Sequence, residues 1–287
     1  MAAGETERLA RVIARSGRAS RREAERLVEE GRVTVNGETV HHPAHAVHPS
    51  KDDIRLDGKR LPKAPPRTTV LLYKPRGTVT VRDDPDGRPS ALDLVEGKLD
   101  AVGRLDFDTE GALLLTNDGD LRNKLTRPSA NVPRRYLAKV WKTPDANALE
   151  RLQKGVSIET APGSRERSEP CKARVVEATD TGNAWVEITV TSGRDVTIKA
   201  MLAAIGHPVS KLRRESFATI SLRGLSRGEV RSLTGAEIAR VEDIADGVEA
   251  QNAGKKSRYK KGYARPKPKK RPPGRKRGGK AVTKRKR

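Results

Sequence analysis

The sequence predicts an α+β protein. A small helix–helix–hairpin unit comes first, then a larger unit on a mixed, mainly antiparallel sheet flanked by helices, then a basic tail without a core. Three observations predict this. Apolar residues recur at helical spacing near the start and again around residue 200. Between these regions, apolar and polar residues alternate in several short runs, as in half-buried strands. From about residue 246 apolar residues nearly vanish and Lys, Arg, Gly and Pro dominate. Such a segment buries too little surface to fold and is expected to be disordered when free.

Taken in order, Leu9, Val12 and Ile13 give the first helix its apolar stripe. Arg8, Arg11, Arg15 and Arg18 recur at three- and four-residue spacing, so guanidinium groups line one face. Gly17 ends this helix. Ser20 caps a second, with Glu23 three positions on completing a capping box. Leu27 and Val28 supply its core contacts, and Gly31 closes it. Val33 to Val40 alternates around Asn36-Gly37, the signature of a type I′ hairpin. The proline-rich stretch 62–68 reads as a linker. The organisation expected is therefore 1–61, linker 62–68, 69–245 and tail 246–287.

In the second unit, Thr69 to Lys74 reads as a strand entering a turn at Pro75-Arg76-Gly77. Ala112 to Thr116 is a second strand, and Leu121 to Leu125 a short helix. Arg135 to Val140, Ala173 to Glu177 and Trp185 to Thr191 alternate as strands. Ile198, Met201, Leu202 and Ile205 form a helical stripe that Gly206 and Pro208 terminate. Leu149 to Leu152 and Ala236 to Val241 suggest further short helices. The helices are expected on one side of the sheet.

Charge narrows the partner. The chain carries 60 Lys and Arg against 37 Asp and Glu, a formal net charge of +23. Residues 255–287 hold eighteen of the basic residues and no acidic one, leaving 42 basic and 37 acidic groups in the body. A basic tail on a nearly balanced body marks a polyanion binder. No run of eighteen apolar residues exists to span a bilayer, and the start lacks a secretory pattern. The single cysteine, Cys171, excludes an internal disulfide and fits a reducing cytoplasm. It reads as a small core filler. His41, His42, His45 and His48 lack a cysteine or carboxylate at metal-ligand spacing, so no metal is expected. Asp83, Asp84 and Asp86 before Gly87 read as a turn, because no bidentate glutamate follows as a calcium loop requires.

The chemistry-bearing segment is Gly103-Arg104-Leu105-Asp106-Phe107-Asp108-Thr109-Glu110-Gly111, followed by Ala112 to Leu115 and then Thr116-Asn117-Asp118-Gly119. A polar, Gly-flanked loop holds an arginine and an aspartate two positions apart, directly before a buried strand. Alone, such an aspartate is more often a turn residue. The whole segment, however, resembles the catalytic loop of the pseudouridine synthases, in the branch that modifies bacterial ribosomal RNA. Residues 5 to 40 are similar to the S4 RNA-binding domain, on Gly17, Ser20-Arg21-Arg22-Glu23-Ala24, Gly31-Arg32-Val33 and Val35-Asn36-Gly37. Together the resemblances span about residues 5 to 245.

The resemblance implies the roles. Asp106 is the expected nucleophile. Tyr136, in Arg135-Tyr136-Leu137-Ala138-Lys139-Val140, is the strand tyrosine expected against the uracil. Lys199 takes the position of the basic partner of the aspartate, in Ser192-Gly193-Arg194-Asp195-Val196-Thr197-Ile198-Lys199-Ala200-Met201-Leu202. A lysine supplies the charge there but not the bidentate fork of an arginine. Val196, Thr197 and Ala200 replace residues usually polar or basic in that motif. Arg104 is implied to fill the space of the flipped base or to hold a flanking phosphate. Arg8, Arg11, Arg15, Arg21 and Arg22 are the expected RNA contacts of the first unit.

The implied reaction breaks a carbon–nitrogen glycosidic bond, turns the uracil and rejoins it through carbon. It involves no redox step or donated group, so no cofactor is expected. A carboxylate can act as nucleophile, and attack on base or ribose both remain open. The target base must be flipped out of its stack. The expected protein is a cytoplasmic, monomeric enzyme acting on ribosomal RNA or an assembling subunit, with the large subunit favoured by the basic tail. The alternatives are a small-subunit enzyme or a non-catalytic S4-type assembly factor.

Overall fold

The computed structural model describes residues 6–191 and 195–247. The basic tail and Ser192-Gly193-Arg194 lie outside the described residues. The N-terminal unit opens with β1 (Glu7–Arg8), α1 (Leu9–Arg15) and α2 (Arg21–Glu29). Strands β2 (Val33–Val35), β3 (Glu38–Val40), β4 (Ala46–Val47), β5 (Ile54–Leu56) and β6 (Lys59–Arg60) follow. The capping box of α2 is formed in both directions: Glu23 N donates to Ser20 Oγ at 3.2 Å and Ser20 N to Glu23 Oε2 at 3.3 Å. Asn36 and Gly37 both take positive φ, 52° and 91°, as a type I′ turn demands. Leu9, Ile13, Ala24, Val28, Val33, Val47 and Ile54 build a small separate core.

The larger unit contains β7 (Thr69–Lys74), β8 (Asp100–Ala101), β9 (Thr109–Thr116), α3 (Gly119–Thr126), β10 (Arg134–Val140) and α4 (Ala146–Gln153). A hairpin of β11 (Ser157–Ala161) and β12 (Ser164–Arg167) leads to β13 (Lys172–Ala178), β14 (Ala184–Val190) and α5 (Asp195–Ala204). Then come β15 (Val209–Phe217), β16 (Ile220–Ser221), β17 (Val230–Ser232) and α6 (Gly235–Ala245). The sheet runs β13-β14-β10-β15-β9-β7-β17, with β8 on β9 and β16 on β15. Every pairing is antiparallel except β15 with β9. That one parallel contact makes the sheet mixed, as expected.

The helices occupy both faces of the sheet, not one. The reason lies in β7 and β9, which are buried on both sides. Strands apolar on both faces need two covers. Val70, Leu72, Leu113 and Leu115 join Leu152 of α4 and Ile198, Met201 and Leu202 of α5 in one core. Leu71, Tyr73, Ala112 and Leu114 join Leu121 and Leu125 of α3 and Val241 and Ile244 of α6 in another. Strand β15 was not anticipated. Its sequence, Lys211-Leu212-Arg213-Arg214-Glu215-Ser216, is too polar to alternate legibly. At its parallel contact Arg214 stands opposite Gly111. A Cβ on Gly111, whose φ is +126°, would run into the Arg214 carbonyl, so only glycine lets these strands close.

Candidate active site

Asp106 lies in the turn that feeds β9. Two buried cations hold that turn by its backbone. Lys74, at the end of β7 and fully buried, donates from Nζ to the carbonyls of Thr109 (2.8 Å), Asp106 (3.0 Å) and Pro75 (3.1 Å). Arg214, 1% exposed, donates from Nε to Ala112 O at 2.7 Å and reaches Arg104 O at 3.5 Å. Gly77 N adds a bond to Phe107 O at 2.8 Å. Leu105 anchors the loop in the core beneath. Thr109 Oγ1 and Arg214 Nη2 are buried without a hydrogen-bond partner among the described residues.

With its backbone fixed, the loop turns its side chains outward. The Asp106 side chain is 40% exposed, and Lys199 Nζ sits 3.3 Å from its Oδ2. Lys199 reaches Asp106 because Ile198, Met201 and Leu202 pin α5 to the sheet. The same ammonium lies 2.5 Å from Asp108 Oδ1. One lysine therefore bridges two carboxylates, which three independent N–H donors allow. Burial disfavours the charge of Lys199, yet the bonds and charges of Asp108 and then Asp106 hold its pKa above the ordinary lysine value. Burial likewise opposes ionisation of Asp108, but the hydrogen bond and charge of Lys199 keep its carboxyl below the ordinary range. Arg76 adds further positive charge beside it.

The structure thus brings Asp106 and Lys199 together. Arg104 is exposed on the same loop. Tyr136 is 1% exposed, in the core that also holds Leu105 and Ile198. The N-terminal arginines do not form one open face. Arg15 pairs with Glu7 at 2.7 Å, and Arg11 pairs with Glu7 and with Asp120 at the start of α3. Arg8, Arg11 and Arg21 line a cleft of about 310 Å³ with Asp120 and Asn123. Arg22 is exposed on α2. Cys171 is half-buried against Leu152 O, and burial pushes its thiol up to about 11, which makes it a poor nucleophile.

Sequence reasoning missed three residues here. Arg214 gave no signal, since a buried arginine breaks the apolar alternation of its strand. Lys74, with Pro75 and Gly77, matches a loop of the family, but a strand-end turn explains it equally well, and its hold on the Asp106 loop was not read. Asp108, two residues from Asp106, was legible as a second carboxylate, but its share in Lys199 was not.

Comparison with known proteins agrees with the fold. Residues 68–204 match the RNA pseudouridylate synthase family, and residues 7–54 match the S4 domain. The chain is 38% identical over 244 residues to ribosomal large subunit pseudouridine synthase B of Bacillus subtilis, covering 84% of this chain and 97% of that protein. It is 37% identical to an uncharacterized RNA pseudouridine synthase of Aquifex aeolicus, covering 82% and 93%. A crystal structure of a pseudouridylate synthase aligns with a TM-score of 0.58 and 28% identity, over 82% of this chain and 99% of that one. These matches define an S4-linked RNA-modifying synthase. The chain belongs to the RNA pseudouridylate synthase family.

Proposed function

We propose that this chain isomerises a specific uridine to pseudouridine in ribosomal RNA of the large subunit, with Asp106 as nucleophile. The observation that carries the reading is the Asp106 carboxylate itself, half exposed on a backbone-clamped loop with a cation 3.3 Å away. Lys199 places a positive charge beside that carboxylate. Its sharing with Asp108 leaves part of its hydrogen-bonding capacity elsewhere, so Asp106 is stabilised without being locked into one tight pair. The C1′–N1 bond breaks, a C1′–C5 bond forms, the proton on C5 leaves and N1 gains one. Nothing is oxidised or reduced, and no external group enters.

Tyr136 is assigned to the wall of the uracil site, and Arg104 to the flipped nucleotide or its flanking phosphate. Because Tyr136 is buried, a base reaches its ring only after side chains above it part on binding. The large-subunit target is supported by relatives of that name from Bacillus subtilis, Yersinia pestis and Salmonella typhi. The N-terminal arm (1–61), linker (62–68), catalytic domain (69–245) and basic tail (246–287) complete the proposal. Arg8, Arg11, Arg15, Arg21 and Arg22 would contact RNA, Arg11 and Arg15 by exchanging their carboxylate partners for phosphates. The enzyme would work as a cytoplasmic monomer on ribosomal RNA or an assembling subunit.

The test maps pseudouridines in ribosomal RNA from cells with and without the gene. One modification in large-subunit RNA should vanish and return with the wild-type gene. An unchanged map would defeat the proposal, and a loss confined to small-subunit RNA would move the target.

A further inference from the structure

The face of the sheet that α3 and α6 cover over β7 and β9 is open over β13, β14 and β10. Three cross-strand rows lie on it. The first aligns Glu177 of β13, Trp185 of β14, Lys139 of β10 and Lys211 of β15. The second aligns Arg174, Glu187, Leu137 and Arg213, and the third Lys172, Thr189, Arg135 and Ser216. None of these residues belongs to a core cluster. Trp141 follows directly on β10, two residues beyond Lys139, and is 54% exposed. The protein has only two tryptophans and a 3% aromatic content. Trp185 therefore stands in register with Lys139 and Lys211, and Trp141 lies just past the end of the same strand as Lys139.

Charge in the rows is uneven. The second row is compensated: Arg174 and, from the third row, Arg135 lie 2.9 Å and 3.8 Å from Glu187, and Arg213 pairs with its strand neighbour Glu215. Lys139 and Lys211 stand directly opposite each other, and no carboxylate among the described residues lies within ion-pairing distance of either. Like charges in register destabilise a sheet, so this pair gains from an anion that bridges it.

The Trp141 position is also held rigidly. Its N–H donates to Pro208 O at 3.0 Å, and its carbonyl lies 3.0 Å from His207 Nδ1. Lys142 takes a left-handed φ of 57° and donates from its backbone to Asn183 Oδ1 at 3.1 Å. That turn brings Lys142 Nζ over the indole, 4.2 Å from the ring centre. An indole held in water by its own backbone, beside ammonium groups spaced along a strand, matches how unpaired RNA is bound. Bases stack on aromatic faces while cations track the phosphates.

We infer that this open face, through Trp141, Trp185, Lys139, Lys142 and Lys211, binds a single-stranded RNA segment outside the nucleotide that reacts. Trp141 and Trp185 supply stacking platforms, and Lys139 and Lys211 neutralise two phosphates. The assignment is independent of Asp106 and Lys199, which lie on the loop and on α5.

Because the chain has two tryptophans, Trp141 and Trp185, intrinsic fluorescence reports on these two positions. The full chain carrying Asp106→Asn, which removes turnover from the measurement, is titrated with a short oligouridylate and with a blunt RNA duplex. Oligouridylate is expected to quench the tryptophan emission, and duplex to leave it nearly unchanged. Trp141→Phe should remove most of the quenching, and Trp141→Ala should weaken oligouridylate binding about tenfold. Lys139→Gln with Lys211→Gln should make the salt dependence shallower by roughly 1.4 in the log–log slope, at about 0.7 per phosphate on a single strand. Saturable binding without quenching overturns the inference, as does an unchanged slope in the double variant. Equal quenching by duplex overturns the single-strand assignment.

Discussion

The Asp106 loop and the arginine face of the N-terminal unit both concentrate charge, and they hold it in opposite ways. In the loop the structural cations are desolvated and bonded to backbone carbonyls, as with Lys74 and Arg214. In the N-terminal unit Arg11 and Arg15 are part-exposed and bonded to carboxylate side chains. A buried cation on fixed dipoles cannot exchange its partners cheaply, so it sets geometry. A part-exposed cation on a carboxylate loses little by exchanging it for another anion. The first arrangement suits a reacting group that must not move. The second suits a surface that must release one partner to take another.

Substitutions can break this contrast. Lys74→Met removes three charge-assisted hydrogen bonds, leaving Thr109 O without its Lys74 donor while Pro75 O keeps Thr78 Oγ1 and Asp106 O keeps Thr109 N, and is expected to destabilise the fold by about 3 kcal/mol. Pseudouridine formation should fall with it even at temperatures where the variant stays folded, because the loop loses its clamp. Denaturant unfolding with activity at low temperature checks both. Gly111→Ala should follow at about 3 kcal/mol, since both its φ and the Arg214 carbonyl oppose a side chain.

Smaller effects sharpen the contrast. Thr234→Ala removes the cap of α6, whose Oγ accepts from Glu237 N at 3.2 Å, and should lower stability by about 1 kcal/mol. Asp120→Asn should change it by less than about 1 kcal/mol, as exposed ion pairs do. The same change is expected to strengthen RNA binding by freeing Arg11, read by titration at low salt. Glu237 offers a pH test. The Arg231 hydrogen bond holds its carboxyl at about 2, below the usual 4.5. The stabilisation it brings is present above pH 4.5 and fades as pH falls through about 2. The difference in thermal midpoint between wild type and Glu237→Gln should shrink across that interval.

Much of the fold was legible because its signals are local. The Asn36-Gly37 turn, the Ser20–Glu23 capping box and the Ile198 to Ile205 stripe need only near neighbours, and each is found as read. What the chain hid depends on distant pairing. Strand β15 reads as polar because one side faces the open sheet surface and its inward Arg214 serves a loop more than a hundred residues earlier. The two-sided helix cover follows from the unbroken apolar runs of β7 and β9, a local signal that the reading of helices on one side passed over. At the site, Asp106 and Lys199 were legible only through family resemblance. The hold of Lys74 and Arg214 on the loop appears only once the strands are assembled.

The central claim is that Asp106, and not its neighbour on the same lysine, performs the chemistry. Purified Asp106→Asn and Asp108→Asn variants, incubated with unmodified large-subunit ribosomal RNA and assayed for pseudouridine, test it most directly. The account predicts no product from Asp106→Asn with RNA binding retained, and continued product from Asp108→Asn. Product from Asp106→Asn at the wild-type rate, or loss confined to Asp108→Asn, would contradict it.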